Sequence, residues 1–352
     1  MGGRFPATDD GEATSTRQRG KTWATRHVHH RQILGQHVHA IIVGMTSPAL
    51  SGRNGSAPGM SALALADGTV VACRTIGPAD ATTTVVLHHG WTQDHTTWDD
   101  VAPLLARSLR VVRYDARGHG RSDAGRTAAT LDQLADDLAD VIRATAPTGR
   151  LVIAGHSLGG PVVLAFAARH PDLLERIDGL ALVATSGAGI GRDILGLPSA
   201  ITRPVMRVAP YVLGPATHLP LRRMTRFPAV LAPALRTGLF GPGAATAERR
   251  RRTAAQVARS HPPTVAALAN ALVDHDMSAE LRTLGTTRVA ILGGTHDVLT
   301  PVAHSHALAA ALPHASLTIY KGAGHMLPYE RTTEIAAEIA ALAGRDAGSA
   351  AV

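Results

Sequence analysis

From residue 61 onward, short apolar runs alternate with longer amphipathic ones. TTVVLHHG (83–90), RVVRYDARGHG (110–120), RLVIAGHS (150–157) and LALVATS (180–186) are each almost continuously apolar, as strands are when both faces of a parallel sheet are covered. Ahead of them, ALALADGTVVACRTIG sets Asp67-Gly68 between two β-prone runs, which predicts a hairpin. Between the strands the period becomes helical. TLDQLADDLADVI places Leu131, Leu134, Leu138, Val141 and Ile142 on one face, with Thr130 and Gln133 spaced as a capping box. PVVLAFAAR (161–169) reads as another helix, ended by His170-Pro171. After residue 282 the alternation resumes with the strand TRVAILGGTHD, a helix near VAHSHALAAAL, the strand ASLTIYKGAGH and a final helix around Ile335, Ile339 and Leu342. This order predicts an α/β fold with a mostly parallel sheet covered by helices on both faces.

The same pattern sets the boundaries. Residues 1–58 are polar and rich in Gly, Ser, Thr and Arg, and predict a disordered tail. Core pattern fills 59–187 and 283–345, and 346–352 is a flexible C-terminus. Between the two core parts, 188–282 breaks the alternation: it carries ten of the 21 prolines and no convincing strand. More than about 90 residues of structureless loop would be unusual inside a compact domain, so this segment is expected to be an inserted helical cap.

With 45% apolar residues in 352 the chain can bury a sizeable core. Only eleven residues are aromatic, so Ala, Val and Leu must fill it. The single cysteine, Cys73, excludes an internal disulfide and a cysteine metal cluster. There is no run of 18 apolar residues and no basic-then-apolar leader at the N-terminus, which predicts a soluble cytoplasmic protein. The formal charge of +8 is concentrated in two places, +4 in residues 1–60 and +7 in 190–280. No basic stripe interleaved with aromatics accompanies it, so nucleic acid is not expected as a partner. The tail histidines His27, His29, His30, His37 and His39 have no carboxylate or cysteine among them, and no metal site is assigned to them.

Chemistry gathers where a parallel sheet places it, at the carboxyl ends of strands. Ser157 follows RLVIAGH, Asp297 follows TRVAILGGTH, His325 follows SLTIYKGAG, and His89-Gly90-Trp91 follows TTVVLH. A serine hydroxyl becomes a useful nucleophile when a histidine accepts its proton and a carboxylate fixes that histidine's tautomer. Ser157, His325 and Asp297 fit those roles. In GHSLGG, Gly155 and Gly159 leave room for a tight serine corner and Gly160 permits close packing of the next helix. Asp297 also has a plainer reading, as a cap for the helix beginning near Pro301. His88, His89, His119, His156 and His296 are read as packing or loop residues, and Asp115, Arg117, Gly118 and Ser122 as stabilisers of a loop.

On these motifs the chain resembles the α/β-hydrolase fold superfamily, within its cap-bearing serine esterase and lipase-like members. GHSLGG resembles the nucleophile elbow of that family, HHGW its oxyanion-hole turn, and YDARGHGRSD its structural turn after the fourth strand. GTHDVLTP and GAGHMLP resemble its acid and histidine loops, and Ser157, Asp297, His325 occur in the family's order. The resemblance implies an oxyanion hole made of the backbone amides of Trp91 and Leu158, with Gly90 giving the turn its shape. It implies no metal or organic cofactor.

The expected activity is hydrolysis of a carboxylic ester, or a related acyl compound, through an acyl-enzyme on Ser157. The alternatives on the same triad are a cofactor-free haloperoxidase or perhydrolase and a carbon–carbon bond hydrolase. A receptor that binds a ligand without catalysis is a further class. Serine at the elbow argues against epoxide hydrolases and haloalkane dehalogenases, which use an aspartate there. The mixture of Val, Leu, Met, Ala and Arg in 201–240 suits an apolar acyl tunnel beneath a basic outer face, and so an apolar small-molecule acyl substrate, and the basic cap could also make weak contact with a membrane surface.

Overall fold

The computed structural model of the chain describes residues 59–188 and 239–344. Eight strands make one sheet: β1 (Ser61–Ala64), β2 (Val70–Ile76), β3 (Thr83–His88), β4 (Arg110–Tyr114), β5 (Arg150–His156), β6 (Ile177–Val183), β7 (Arg288–Gly294) and β8 (Ser316–Tyr320). Their order is β1-β2-β4-β3-β5-β6-β7-β8. β1 and β2 are the expected antiparallel hairpin, and β2 pairs antiparallel with β4. From β4 to β8 every pairing is parallel.

The almost continuous apolar runs have the expected cause. Along β5, Leu151 and Ile153 enter one apolar cluster while Val152 and Ala154 enter the other, on the opposite face. β7 repeats this with Val289 and Ile291 against Ala290 and Leu292. A strand whose successive side chains point to opposite faces needs apolar residues at every position when both faces are covered.

The covering helices are α1 (Ala102–Leu105), α2 (Leu131–Thr145), α3 (Gly159–Arg169), α4 (Pro171–Leu174), α5 (Ala247–Arg259), α6 (Pro262–Asp274), α7 (Ser278–Thr283), α8 (Val302–Ala311), α9 (Leu327–Glu330) and α10 (Thr332–Ala341). On α2, Leu131, Leu134, Leu138, Val141 and Ile142 are all buried, and the Thr130 side chain caps the helix by accepting the Gln133 N–H at 3.1 Å. α2 and α3 cover one face of the sheet, α1 and α10 the other. The four-residue helices α1, α4 and α9 are too short to leave a periodic signal.

The run 110–120 leaves the sheet at Tyr114, because the polar groups that follow bond elsewhere. Ser122 Oγ donates to the Asp115 carbonyl at 2.5 Å and accepts the Ala72 N–H at 2.9 Å. Arg117 is fully buried and forks onto the Asp137 carboxylate with two bonds of 2.5 Å.

The tail 1–58 with its histidines, the part of the 188–282 insertion up to residue 238, and residues 345–352 lie outside the described residues. From α5 to α7 the insertion is helical, and Ala188 meets Asp276 in an isolated β-bridge. Among its described arginines, Arg252 and Arg259 dock α5 against the core. Arg252 pairs with Asp100 at 2.8 Å and lies over the Tyr329 ring, Arg259 pairs with Asp94 at 2.6 Å, and Arg249 donates to the Ala244 carbonyl at 2.9 Å. Among the described residues no helix is long and apolar enough to cross a membrane.

Candidate active site

The strand order puts the carboxyl ends of β3, β5, β6, β7 and β8 in one row. In the β3–β5 register His88 stands beside Gly155, so the Gly90-Trp91 turn lies next to the corner that bears Ser157. The loops after β7 and β8 bring Asp297 and His325 to the same edge.

Ser157 is held at φ 53°, in the left-handed region that non-glycine residues rarely occupy. Its N–H donates to the Val183 carbonyl at 2.9 Å, and its own carbonyl accepts the Gly160 N–H at 2.9 Å and the Thr185 hydroxyl at 2.7 Å. Those bonds overdetermine the corner, which is what lets a strained residue persist. The neighbouring glycines are required by close approach. A Cβ at Gly155 would collide with the Gly159 carbonyl, and one at Gly160 with the Thr185 side chain. At Gly159 it would lie 2.8 Å from the His88 carbonyl, and at Gly90 it would crowd Gln93 and His156.

From this corner the Ser157 Oγ lies 3.0 Å from His325 Nε2, and His325 Nδ1 lies 2.8 Å from Asp297 Oδ2. The serine is partly exposed while His325 and Asp297 are buried. Asp297 divides its two oxygens. Oδ1 accepts the Leu299 and Thr300 N–H groups at 2.9 and 2.8 Å, while Oδ2 takes the Thr300 hydroxyl at 2.6 Å and faces the imidazole. Burial alone would raise this carboxyl, but the facing His325 and the Thr300 bonds outweigh it and hold it below the usual carboxylate range. The plainer reading of Asp297 is thus half realised: it shapes the turn before α8, whose own N-cap is Pro301.

Gly90 to Gln93 form a turn, closed by the Gln93 N–H on the Gly90 carbonyl at 3.1 Å, with Thr92 at φ 59°. The Trp91 and Leu158 amides donate to no acceptor among the described residues. The Trp91 indole N–H reaches the Val265 carbonyl of α6 at 2.9 Å. His88, His89, His119 and His156 are all buried within the protein, and His296 is exposed.

Several supporting residues were not anticipated from the sequence. Thr300 is one, and the threonine of GTHDVLTP three places after the acid was an available signal. Gln93, Thr185 and Glu330 had none. Glu330 Oε2 accepts the Gly241 and Gly324 N–H groups at 3.0 Å each, which ties the segment entering α5 to the histidine loop. Among the described residues, one further group has the composition of a cation site, Asp94, His95 and Asp115. Its oxygens are already engaged: Asp94 with Arg259, Asp115 with His95 at 2.6 Å and with the Arg121 N–H at 2.9 Å. A cation there would have to displace a guanidinium.

Comparison with known proteins agrees with the topology. A protein of Mycobacterium tuberculosis is 30% identical over 265 residues, covering 71% of this chain and 70% of its own. The pimeloyl-[acyl-carrier protein] methyl ester esterase of Aromatoleum aromaticum is 31% identical over 260 residues, covering 68% of this chain and 90% of the esterase. A thermophilic esterase from Thermogutta terrifontis superposes with a TM-score of 0.63 at 25% identity, over 80% of this chain and 97% of that one. With the family's sequence profile matching residues 83–332 over the same strands, turns and loops, the chain belongs to the α/β-hydrolase fold family.

Proposed function

We propose that the protein is a serine hydrolase that cleaves a carboxylic ester through an acyl-enzyme on Ser157. The observation that carries this reading is the continuous line of contacts from Ser157 Oγ through His325 to Asp297, with the serine raised on a strained corner. As Oγ attacks the acyl carbon, its proton passes to His325 Nε2, and the carbonyl electron pair moves onto oxygen. The Trp91 and Leu158 amides are the donors for that oxyanion, where one lost donor typically costs about 2.7–4 kcal/mol. His325 then protonates the departing alkoxide as the carbon–oxygen bond breaks. Water repeats the sequence on the acyl-enzyme and frees Ser157. Asp297 holds Nδ1–H and supports the imidazolium. These steps call on no metal or organic cofactor.

The related methyl ester esterase supports an ester as the substrate class. Residues 188–282 are the cap over this site in our reading, with α6 tied to the oxyanion turn through Trp91 and Val265, and the substrate is a small-molecule acyl compound with an apolar acyl group. Contact of the basic cap with a membrane surface is a separate proposal, tested by comparing acidic and neutral vesicles at low salt.

Initial rates on p-nitrophenyl esters from acetate to palmitate test the hydrolase reading. Turnover is expected in the wild type and a loss of at least about 10³-fold in Ser157→Ala. Equal turnover by the variant would refute it.

A further inference from the structure

Gln93 is a buried amide, two residues beyond Trp91. Its Oε1 accepts the Gly90 N–H and the Thr97 hydroxyl, each at 3.0 Å, and lies 3.0 Å from His156 Nδ1. Its Nε2 donates to Met326 Sδ at 3.3 Å. His156 immediately precedes Ser157, and its Nε2 lies 2.9 Å from the His325 carbonyl. One side chain therefore touches the turn bearing the Trp91 amide, the residue before the nucleophile and the residue after the base.

The grip on the turn is double. The Gly90 carbonyl and the Trp91 N–H belong to one trans peptide plane and point in opposite directions. The Gln93 backbone N–H holds that carbonyl at 3.1 Å, and so aims the Trp91 N–H. The Gln93 side chain holds the preceding plane through the Gly90 N–H. A methionine of similar length could fill the same space without the amide's desolvation cost, but it would leave the Gly90 N–H unpaired.

The tie from Gln93 to the base loop is its bond to Met326. With Oε1 turned toward Gly90, the His156 ring stands between two oxygens. A neutral ring has one N–H and bonds only one of them at a time. The His325 carbonyl has no other donor among the described residues, so the N–H belongs at Nε2. The ring therefore packs against Gln93 and bonds the His325 carbonyl, while the hydrogen bond from Gln93 itself goes to Met326.

Resting on the serine-hydrolase reading above, we propose that Gln93 is a positioning residue that locks the oxyanion turn to the His325 loop, keeping the Trp91 amide and the His325 imidazole aligned on one reacting carbonyl.

Hydrogen exchange followed by mass spectrometry, with kcat and KM measured alongside, tests this on the full chain. Gln93→Met is expected to speed exchange about tenfold in both the Gly90–Gln93 and the His325–Met326 segments. It should also lower kcat by at least about tenfold with KM within about twofold. Thr97→Val removes another donor to the same oxygen, and both kcat and exchange should stay within about twofold of wild type. With its carboxyl ionised, Gln93→Glu keeps the acceptor for Gly90 but has no hydrogen to donate to Met326, so it should expose the base loop while the turn stays protected. If Gln93→Met does not fold, Gln93→Glu tests the coupling in its place. Exchange confined to residues 90–97 in Gln93→Met, equal effects of Thr97→Val, or a deprotected turn in Gln93→Glu would each overturn the proposal. The exchange pattern needs no turnover, so an inert wild type would sink the hydrolase reading while exchange still tested the coupling.

Discussion

Asp297 shows how much one residue can be asked to do. One of its oxygens builds the turn that presents it, and the other faces the histidine. Asp297→Asn can keep the turn bonds to Oδ1, but its amide would present N–H groups to Nδ1 and favour the wrong tautomer. A fall in kcat of about 10⁴ is expected, with the folded state intact. Steady-state kinetics with circular dichroism of the same sample would check it; a change of less than tenfold would argue against this carboxylate. Ser157, Asp297 and His325 were legible in the sequence because each follows a strand and has a distinctive chemical type. Gln93 was not, because a lone glutamine in a loop has no periodicity and its partners Met326 and His156 are 233 and 63 residues away.

At the scale of elements, the corner after β5 and the loop after β4 carry the strain and the buried charge. Gly155→Ala would push a Cβ into the Gly159 carbonyl and must move β5 against α3. Arg117, buried, links the β4 loop to α2 through Asp137. Burial raises the Asp137 carboxyl despite the guanidinium facing it. Arg117→Met would leave that carboxylate buried without its partner, costing about 3–5 kcal/mol. Urea unfolding measures this, and a loss under about 1 kcal/mol would contradict the packing account. The strands were readable because both faces are covered, which keeps the middle of runs such as β5 and β7 apolar at successive positions. The turn after β4 was readable in YDARGHGRSD, but its anchors were not, since the bonds of Ser122 and Arg117 that hold it involve Ala72 and Asp137, remote in sequence.

For the whole molecule, the buried histidines link stability to pH. Burial pulls the pKa of His88 to about 4 and that of His156 to about 3, and lowers His89 and His119 as well. Unfolded histidines take up protons below about pH 6.5, whereas these folded rings stay neutral well below it. The unfolded state therefore binds more protons in that window, and stability is lost as pH falls from 6.5. At pH 5, His88 and His156 each cost about 2 kcal/mol relative to neutral pH. Urea midpoints at pH 7 and pH 5 should differ accordingly, and equal midpoints would show that these rings are not held neutral by burial. The histidines themselves were visible in the sequence, but their burial follows from the sheet register and the packing of distant loops.

The most direct test of the central claim is the reactivity of one hydroxyl. A fluorophosphonate probe followed by intact mass and peptide mapping should give one adduct per chain, located on Ser157. It should be absent in Ser157→Ala, strongly slowed in His325→Ala and lost when the protein is unfolded in urea. A folded wild type that resists the probe, or labelling that survives Ser157→Ala, would contradict the account.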